Sequence, residues 1–265
     1  MVNMIRADLY KIFKSTAIKV LFAITLLCSL MMVLFAYLIN KGNLGGEYSG
    51  IGFMFSDMNT ISILGAVIAG VFICGDFENK TIHNTIADGS SRGRIIVSKS
   101  IVYFCSVLFI ILPYALVTII AVCSGNKFDM SSVSIGFLNI LSKESGTEIS
   151  ASVFAKLIAA AGTLILVHMS QLSLCLPIAF AVKKPVLVVA IYYAISILSG
   201  QISSLASRSE VVNNIFSLTP FGGNRMFLTV HSGGGELLET FAVSIIFGIA
   251  VIIITCGIFR KTEIK

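Results

Sequence analysis

Ile18 to Ile39 is an apolar run of about 22 residues broken only by Lys19. As a helix it is roughly 33 Å long, enough to cross the hydrocarbon core of a bilayer. Five more such runs follow, with polar or glycine-rich stretches between them: Met58–Gly75, Ile101–Cys123, Val153–Val182, Val186–Ala206 and Phe241–Phe259. In lipid every backbone N–H and C=O must be bonded within the chain, so runs of this length read as helices. Composition agrees. The chain is 56% hydrophobic and 12% charged, with a mean hydropathy of +0.96, more apolar surface than a soluble chain of 265 residues can hide. The expected fold class is all-α: a polytopic membrane protein with six transmembrane helices, a single domain over residues 1–265.

The segments around these runs refine the picture. In residues 1–16, Met4, Ile5, Leu9, Ile12 and Phe13 share one helical face, with Arg6, Asp8, Lys11 and Lys14 elsewhere. That is the pattern of an amphipathic helix lying on a lipid surface. Ala66, Gly70 and Cys74 form a small-residue row in the second span, which lets another helix come close. Pro113 is expected to bend the third span. Ser124–Ser152 reads as a loop with a short surface helix. Residues 208–239 hold apolar patches (VVNNIFSLTPF, RMFLTV) too short to cross but able to dip into the membrane and return, so this stretch is expected to be extracellular or re-entrant. Six cysteines form no CxxC pair and read as small hydrophobes.

Charge sets the expected orientation. With the amino-terminus inside, most of the 19 basic residues fall on the inner side: Arg6, Lys11, Lys14, Lys19, Lys80, Arg92, Arg94, Lys99, Lys183, Lys184, Arg260, Lys261 and Lys265. The positive-inside rule then puts both termini in the cytoplasm. The net charge of +6 reflects that orientation, and no nucleic-acid partner is expected.

Between the second and third spans lies a polar island, Cys74–Lys99 (CGDFENKTIHNTIADGSSRGRIIVSK). Asp76 is placed to cap a helix, with Glu78 at the positive end of its dipole. Phe77, Ile82 and Ile86 recur at near-helical spacing, Gly89 is a natural stop, and Ser90 or Ser91 can cap the next helix. The expectation is a helix of about three turns whose apolar ridge suits a groove on a soluble partner.

The string Asp-Phe-Glu-Asn-Lys-Thr-Ile, followed by Gly89, Ser91-Arg92 and Ser98-Lys99, resembles the cytoplasmic loop of ABC-type-2 permeases, the membrane halves of one class of ABC exporter. The opening Arg-Ala-Asp-Leu-Tyr-Lys resembles that family's amino-terminal helix. The resemblance implies that residues 76–94 form a coupling loop seated on a separate ABC ATPase subunit, present in two copies. It makes Asp76, Phe77, Glu78, Thr81, Ile82, Ile86 and Arg92 the ATPase-coupling residues. It also implies a second permease (itself or a sister chain), contact with membrane lipid, a bacterial-type cell membrane and re-entrant helices before the sixth span. Compact members resemble antimicrobial-peptide or lantibiotic resistance and immunity permeases, which implies export of an amphipathic peptide or lipid-like compound.

Catalytic chemistry is not expected of the chain itself. Gly70 and Gly75 have the glycine spacing of a phosphate-binding loop, but Asp76-Phe77 follows where Lys-Ser/Thr is required. Neither HExxH nor GxSxG occurs, and no cofactor, metal or catalytic residue is expected. Polar side chains at membrane depth face a bundle interior or a watered route, or bond between helices. His168 and Gln171 in the fourth span, with Ser196 and Ser199 in the fifth, are the expected translocation-path residues. Two rival readings remain at this level. One is a non-transporting scaffold or peptide-sensing component built on the same fold. The other is an intramembrane enzyme, for which His168 is the one deep candidate.

Overall fold

The computed structural model describes residues 1–130, 134–147, 150–206 and 209–261. Residue 208, where the stretch 208–239 begins, and Lys265 lie outside the described residues. The described chain is helical, without a β-strand. Helix α1 (Val2–Lys14) leads through Ser15, whose Oγ accepts the Ile18 N–H, into α2 (Thr16–Asn40). A short α3 (Ser49–Met54) precedes α4 (Asp57–Ala69), which runs on through a π-helical stretch, Gly70–Cys74, into α5 (Gly75–Glu78). Then come α6 (Thr81–Ala87), α7 (Arg92–Cys123), α8 (Phe137–Glu144), α9 (Ala151–Leu172), α10 (Cys175–Val182), α11 (Pro185–Ala206), α12 (Glu210–Phe216) and α13 (Gly234–Lys261).

Six stretches are long and apolar enough to cross a membrane: Thr16–Asn40, Gly46–Glu78, Arg92–Cys123, Ala151–Val182, Pro185–Ser203 and Gly234–Arg260. This is the architecture of a multi-pass helical membrane protein. The second, third and fourth form the centre, 56–67% buried over their apolar windows, whereas the first, fifth and sixth are only 17–28% buried. Helix α7 is the hub, packing on α1, α2, α4, α8, α9 and α13. Six crossings bring both ends of the chain to one face, here the terminal end; the other is the distal end.

Several boundaries differ from the sequence expectation. Helix α13 begins at Gly234 rather than Phe241, so Glu236 and Glu239 lie in its opening turns. The expected surface helix of Ser124–Ser152 is α8, but Phe137, Leu138, Ile140 and Leu141 are buried, so it is a cap over the bundle. The two patches of 208–239 part company. Val211, Ile215 and Leu218 in and after α12 are exposed, while Met226, Leu228 and Val230 are buried.

The small-residue row works as its spacing implies. A Cβ on Gly70 would lie 3.0 Å from the Pro185 Cα, and Cys74 Sγ reaches the Ala179 carbonyl, so the second span touches the turn between the fourth and fifth at backbone distance. Gly70→Leu must push α11 away and is expected to cost about 1–3 kcal/mol, read as a fall in melting temperature of the purified protein. Gly257→Leu, where nothing lies within 4 Å, should leave it unchanged or higher.

Candidate functional site

At the terminal end the polar island is bound into the bundle by charge. Lys99, near the start of α7, is 4% exposed among Ile95, Ile96 and Val102. Its ammonium donates to Asp8 of α1 at 2.8 Å and to Asp76 of α5 at 2.5 Å, and it lies over the Phe72 ring. Asp76 is fully buried and also accepts from Lys11 of α1 at 2.6 Å, whose side chain stays half-exposed. Two carboxylates and two ammonium groups thus neutralise one another where α1, α5 and α7 converge. Buried charges survive only with such partners.

Aromatic packing and helix-end chemistry extend the junction. Phe77, Phe180 and Phe259, with ring centroids 5.0–6.1 Å apart, join the terminal ends of the second, fourth and sixth spans. Arg92 donates to the carbonyls of Phe259 and Arg260 in the last described turn of α13, and lies over the Phe259 ring.

These contacts show where the expected coupling residues sit in the chain itself. Asp76 does not cap a helix: it sits inside a helix that continues the second span. The three-turn helix is instead two pieces, separated at Asn79-Lys80, where Lys80 turns left-handed (φ +56°). Phe77 and Ile82 are buried in this chain's own core, Ile86 packs partly against it, and Arg92 is bonded to the Phe259 and Arg260 carbonyls of α13. The apolar ridge therefore faces inward. What the loop turns outward is polar: Glu78, Asn79, Lys80, Thr81, Asn84 and Asp88. Gly89 (φ +87°) stops α6 as its position implied, and Ser91 occupies the N-cap of α7 without a side-chain bond.

The distal end holds a second polar network. Asp57, fully buried at the start of α4, accepts from His168 Nε2 at 2.8 Å and from the Phe137 N–H at 3.2 Å to each oxygen. Its carboxylate thus occupies the positive end of α8, and the Phe137 and His168 rings lie nearly parallel. Gly136 (φ +66°) makes the approach possible, because a Cβ there would fall 2.1 Å from Asp57 Oδ2. The cap continues through Gly136 N–H to the Met226 carbonyl, Asn139 to the Leu228 carbonyl and the Val230 N–H to buried Glu144.

Beneath that cap lies a cavity of about 490 Å³ lined by Met58, Ile135, Gln171, Ser199, Gly200, Ser203, Phe221, Gly223, Met226 and Phe227. Of the four expected path residues, Gln171 and Ser199 meet here, Gln171 also donating to the Pro220 carbonyl. His168 and Ser196 do not line it. His168 is held by Asp57, and Ser196 Oγ lies 3.3 Å from Ser62 Oγ across the second and fifth spans.

Sequence reasoning missed Asp8, Asp57, Lys99, Glu144 and Arg225 as structural charges. Lys99 alone carried a usable signal: a lysine between two serines inside an isoleucine- and valine-rich stretch, Ile95–Val102, needs a counter-ion. Arg225, 4% exposed, donates to the carbonyls of Thr219 and Gly222 and to Glu239. Burial pulls its pKa below the ordinary arginine value, and Glu239 beside it opposes the shift.

No family model matches this chain, and no curated protein matches it. The fold and its two buried charge networks define its class by themselves, as a multi-pass helical membrane protein.

Lys99→Met leaves two buried carboxylates facing one half-exposed ammonium and should cost about 3–5 kcal/mol. Lys11→Met removes a solvent-screened partner and should cost about 0–1 kcal/mol. Thermal unfolding of both variants in one detergent checks the ratio. His168→Leu strips the Asp57 carboxylate of its only side-chain donor among the described residues, and should cost about 1–3 kcal/mol. A His168→Leu protein with the parent's melting temperature would contradict this structural role.

Proposed function

We propose that this chain is the membrane half of an ATP-driven exporter of the ABC-type-2 kind, moving an amphipathic peptide or lipid-like compound, and that a separate ATPase polypeptide supplies the hydrolysis. In this reading the terminal end faces the cytoplasm of a bacterial-type cell, and two ATPase copies serve two permeases. Residues 76–94 are the coupling loop, and 208–239 belongs to the outer face with its re-entrant part.

The observation that carries the reading is mechanical. Helices α5 and α6 present an outward polar face, while their inner side is fixed to α1, α7, α10 and α13 through Asp76, Phe77 and Ile82. Asp76, Phe77 and Ile82 tie both pieces of the loop to the bundle, so a push on that face is passed to the spans they contact. Closure of an ATP-bound ATPase dimer beneath it would shift the second and third spans together, as a rigid-body transition between two packed states. The thinly covered first, fifth and sixth spans leave apolar surface for lipid or a second permease. Glu78 and Thr81 keep their place as ATPase contacts, joined by Asn84, whereas Asp76, Phe77, Ile82 and Arg92 act behind that surface by holding it.

The test follows from that division. Affinity-purified from its native membrane, the chain should carry a P-loop ATPase and hydrolyse ATP. Glu78→Arg with Thr81→Arg should remove the ATPase while changing stability by no more than about 0.5 kcal/mol, as exposed substitutions do. Ile82→Asp should instead destabilise the permease itself. Purification with no ATPase under conditions that preserve the fold sinks the exporter reading.

A further inference from the structure

The cavity beneath the distal cap carries hydrogen-bonding groups of one kind. Gln171 is 2% exposed, and its Nε2 donates to the Pro220 carbonyl. That carbonyl can only accept, so it fixes which end of the amide carries the nitrogen. The other end, Oε1, accepts no hydrogen bond among the described residues. It is not enclosed by protein atoms either, and the space that Gln171 lines is the cavity. Ser199, 7% exposed, spends its hydroxyl hydrogen on the Ser196 carbonyl, which leaves the oxygen's lone pairs. The two buried polar side chains of the lining are therefore both acceptors. Ser203, on the exposed rim, can give or accept and sets no preference.

No acidic or basic side chain is among the residues that line the cavity. Asp57, next to Met58, is answered by His168 and the Phe137 N–H. Arg225, next to Met226, lines a separate hollow with Glu236 and Glu239, and its unpartnered Nε is buried. An ion of either sign would stand in the cavity without a counter-charge, a cost that a neutral guest does not meet. The remaining wall is apolar and aromatic, formed by Met58, Ile135, Phe221, Met226 and Phe227.

We propose that the cavity binds an uncharged amphiphile whose hydroxyl head donates to Gln171 Oε1, with Ser199 Oγ as the alternative acceptor. Its apolar body lies against the methionine and phenylalanine wall. The size fits, since about 490 Å³ is within the roughly 300–1,000 Å³ of sites for drug-sized molecules. Access fits as well. Gly200, Ser203 and Phe227 line the cavity and are also exposed, so it opens at the surface. The fifth span beside that opening is only 22% buried over its apolar window, so the guest enters from the bilayer. That such a guest is then exported rests on the permease reading; the binding itself needs this chain alone. Two sources carry the chemistry, a diacylglycerol-type lipid and a free single-chain alcohol.

The sequence contains no tryptophan, so Phe227→Trp places a lone indole at the cavity mouth. The full-length Phe227→Trp protein, in phosphatidylcholine vesicles, is titrated with dodecanol, and indole emission should shift saturably. Dodecyl methyl ether keeps the chain but has no donor. It should half-saturate at about ten times the concentration, the worth of one hydrogen bond in an apolar site. Dodecylamine and dodecanoate at neutral pH should give no saturable shift. Gln171→Met in the same background removes the acceptor and should bind alcohol and ether alike, an effect that lost stability alone does not produce. If that variant does not fold, the comparison of alcohol with ether on its parent decides alone. Competition by dioctanoylglycerol names the lipid as the source; a dodecanol curve that the glyceride leaves unmoved names the single-chain alcohol. Equal half-saturation by alcohol and ether in the parent overturns the proposal. So does a Gln171→Met protein that still prefers the alcohol, or either ion binding as tightly as dodecanol. None of these results touches the ATPase co-purification test of the exporter reading.

Discussion

Lys99 is the residue on which the terminal half of the molecule depends. A lysine among isoleucines near the start of α7 must either find counter-charges or stay out of the bundle. It finds two, Asp8 from the interfacial helix and Asp76 from the end of the second span. Each carboxylate is equally in need of it. The consequence is geometric: neither α1 nor α5 can part from α7 without leaving a buried charge unpaired, so the three are held as one unit. The Phe77, Phe180 and Phe259 contacts then carry that rigidity to the ends of the fourth and sixth spans.

The distal half is held by the same logic with a different donor set. Asp57 stands where a helix start would ordinarily be solvated, and the chain instead covers it with α8 and the strand-like turn segment around Met226. His168 and the Phe137 amide replace the lost water. Because this network lies to one side of the large cavity, the cavity keeps an adaptable lining of methionine, phenylalanine and serine, and its walls are fixed from behind.

The two networks also explain why polar residues within the spans were hard to sort in advance. His168, Gln171, Ser196 and Ser199 look alike in sequence: polar, three apart, embedded in leucine and valine. In the fold they divide. His168 answers a buried carboxylate 111 positions away, Ser196 meets Ser62, and Gln171 and Ser199 reach the cavity. Helical periodicity assigns a residue to a face, but which neighbour owns that face depends on packing angles and long loops. The same holds for the polar island. Phe77, Ile82 and Ile86 were correctly grouped as one apolar ridge, and a ridge of that kind is equally fitted to a partner's groove or to the chain's own interior.

What the sequence determined alone is what short-range chemistry decides. Runs of about twenty apolar residues have no state in lipid but helix, so the number and approximate limits of the spans were legible. So were the small-residue row at Gly70 and the helix stop at Gly89, because backbone approach and left-handed turns leave a local residue signature. The true start of α13 at Gly234 escaped because a polar opening with Glu236 and Glu239 looks like loop until the helix is seen. Tertiary structure alone decided which charges are partners. Asp8 and Asp57 read as ordinary interfacial residues, and Asp76 as a helix cap, until helices distant in sequence enclose them, and only enclosure removes the water that would otherwise have made their pairing optional.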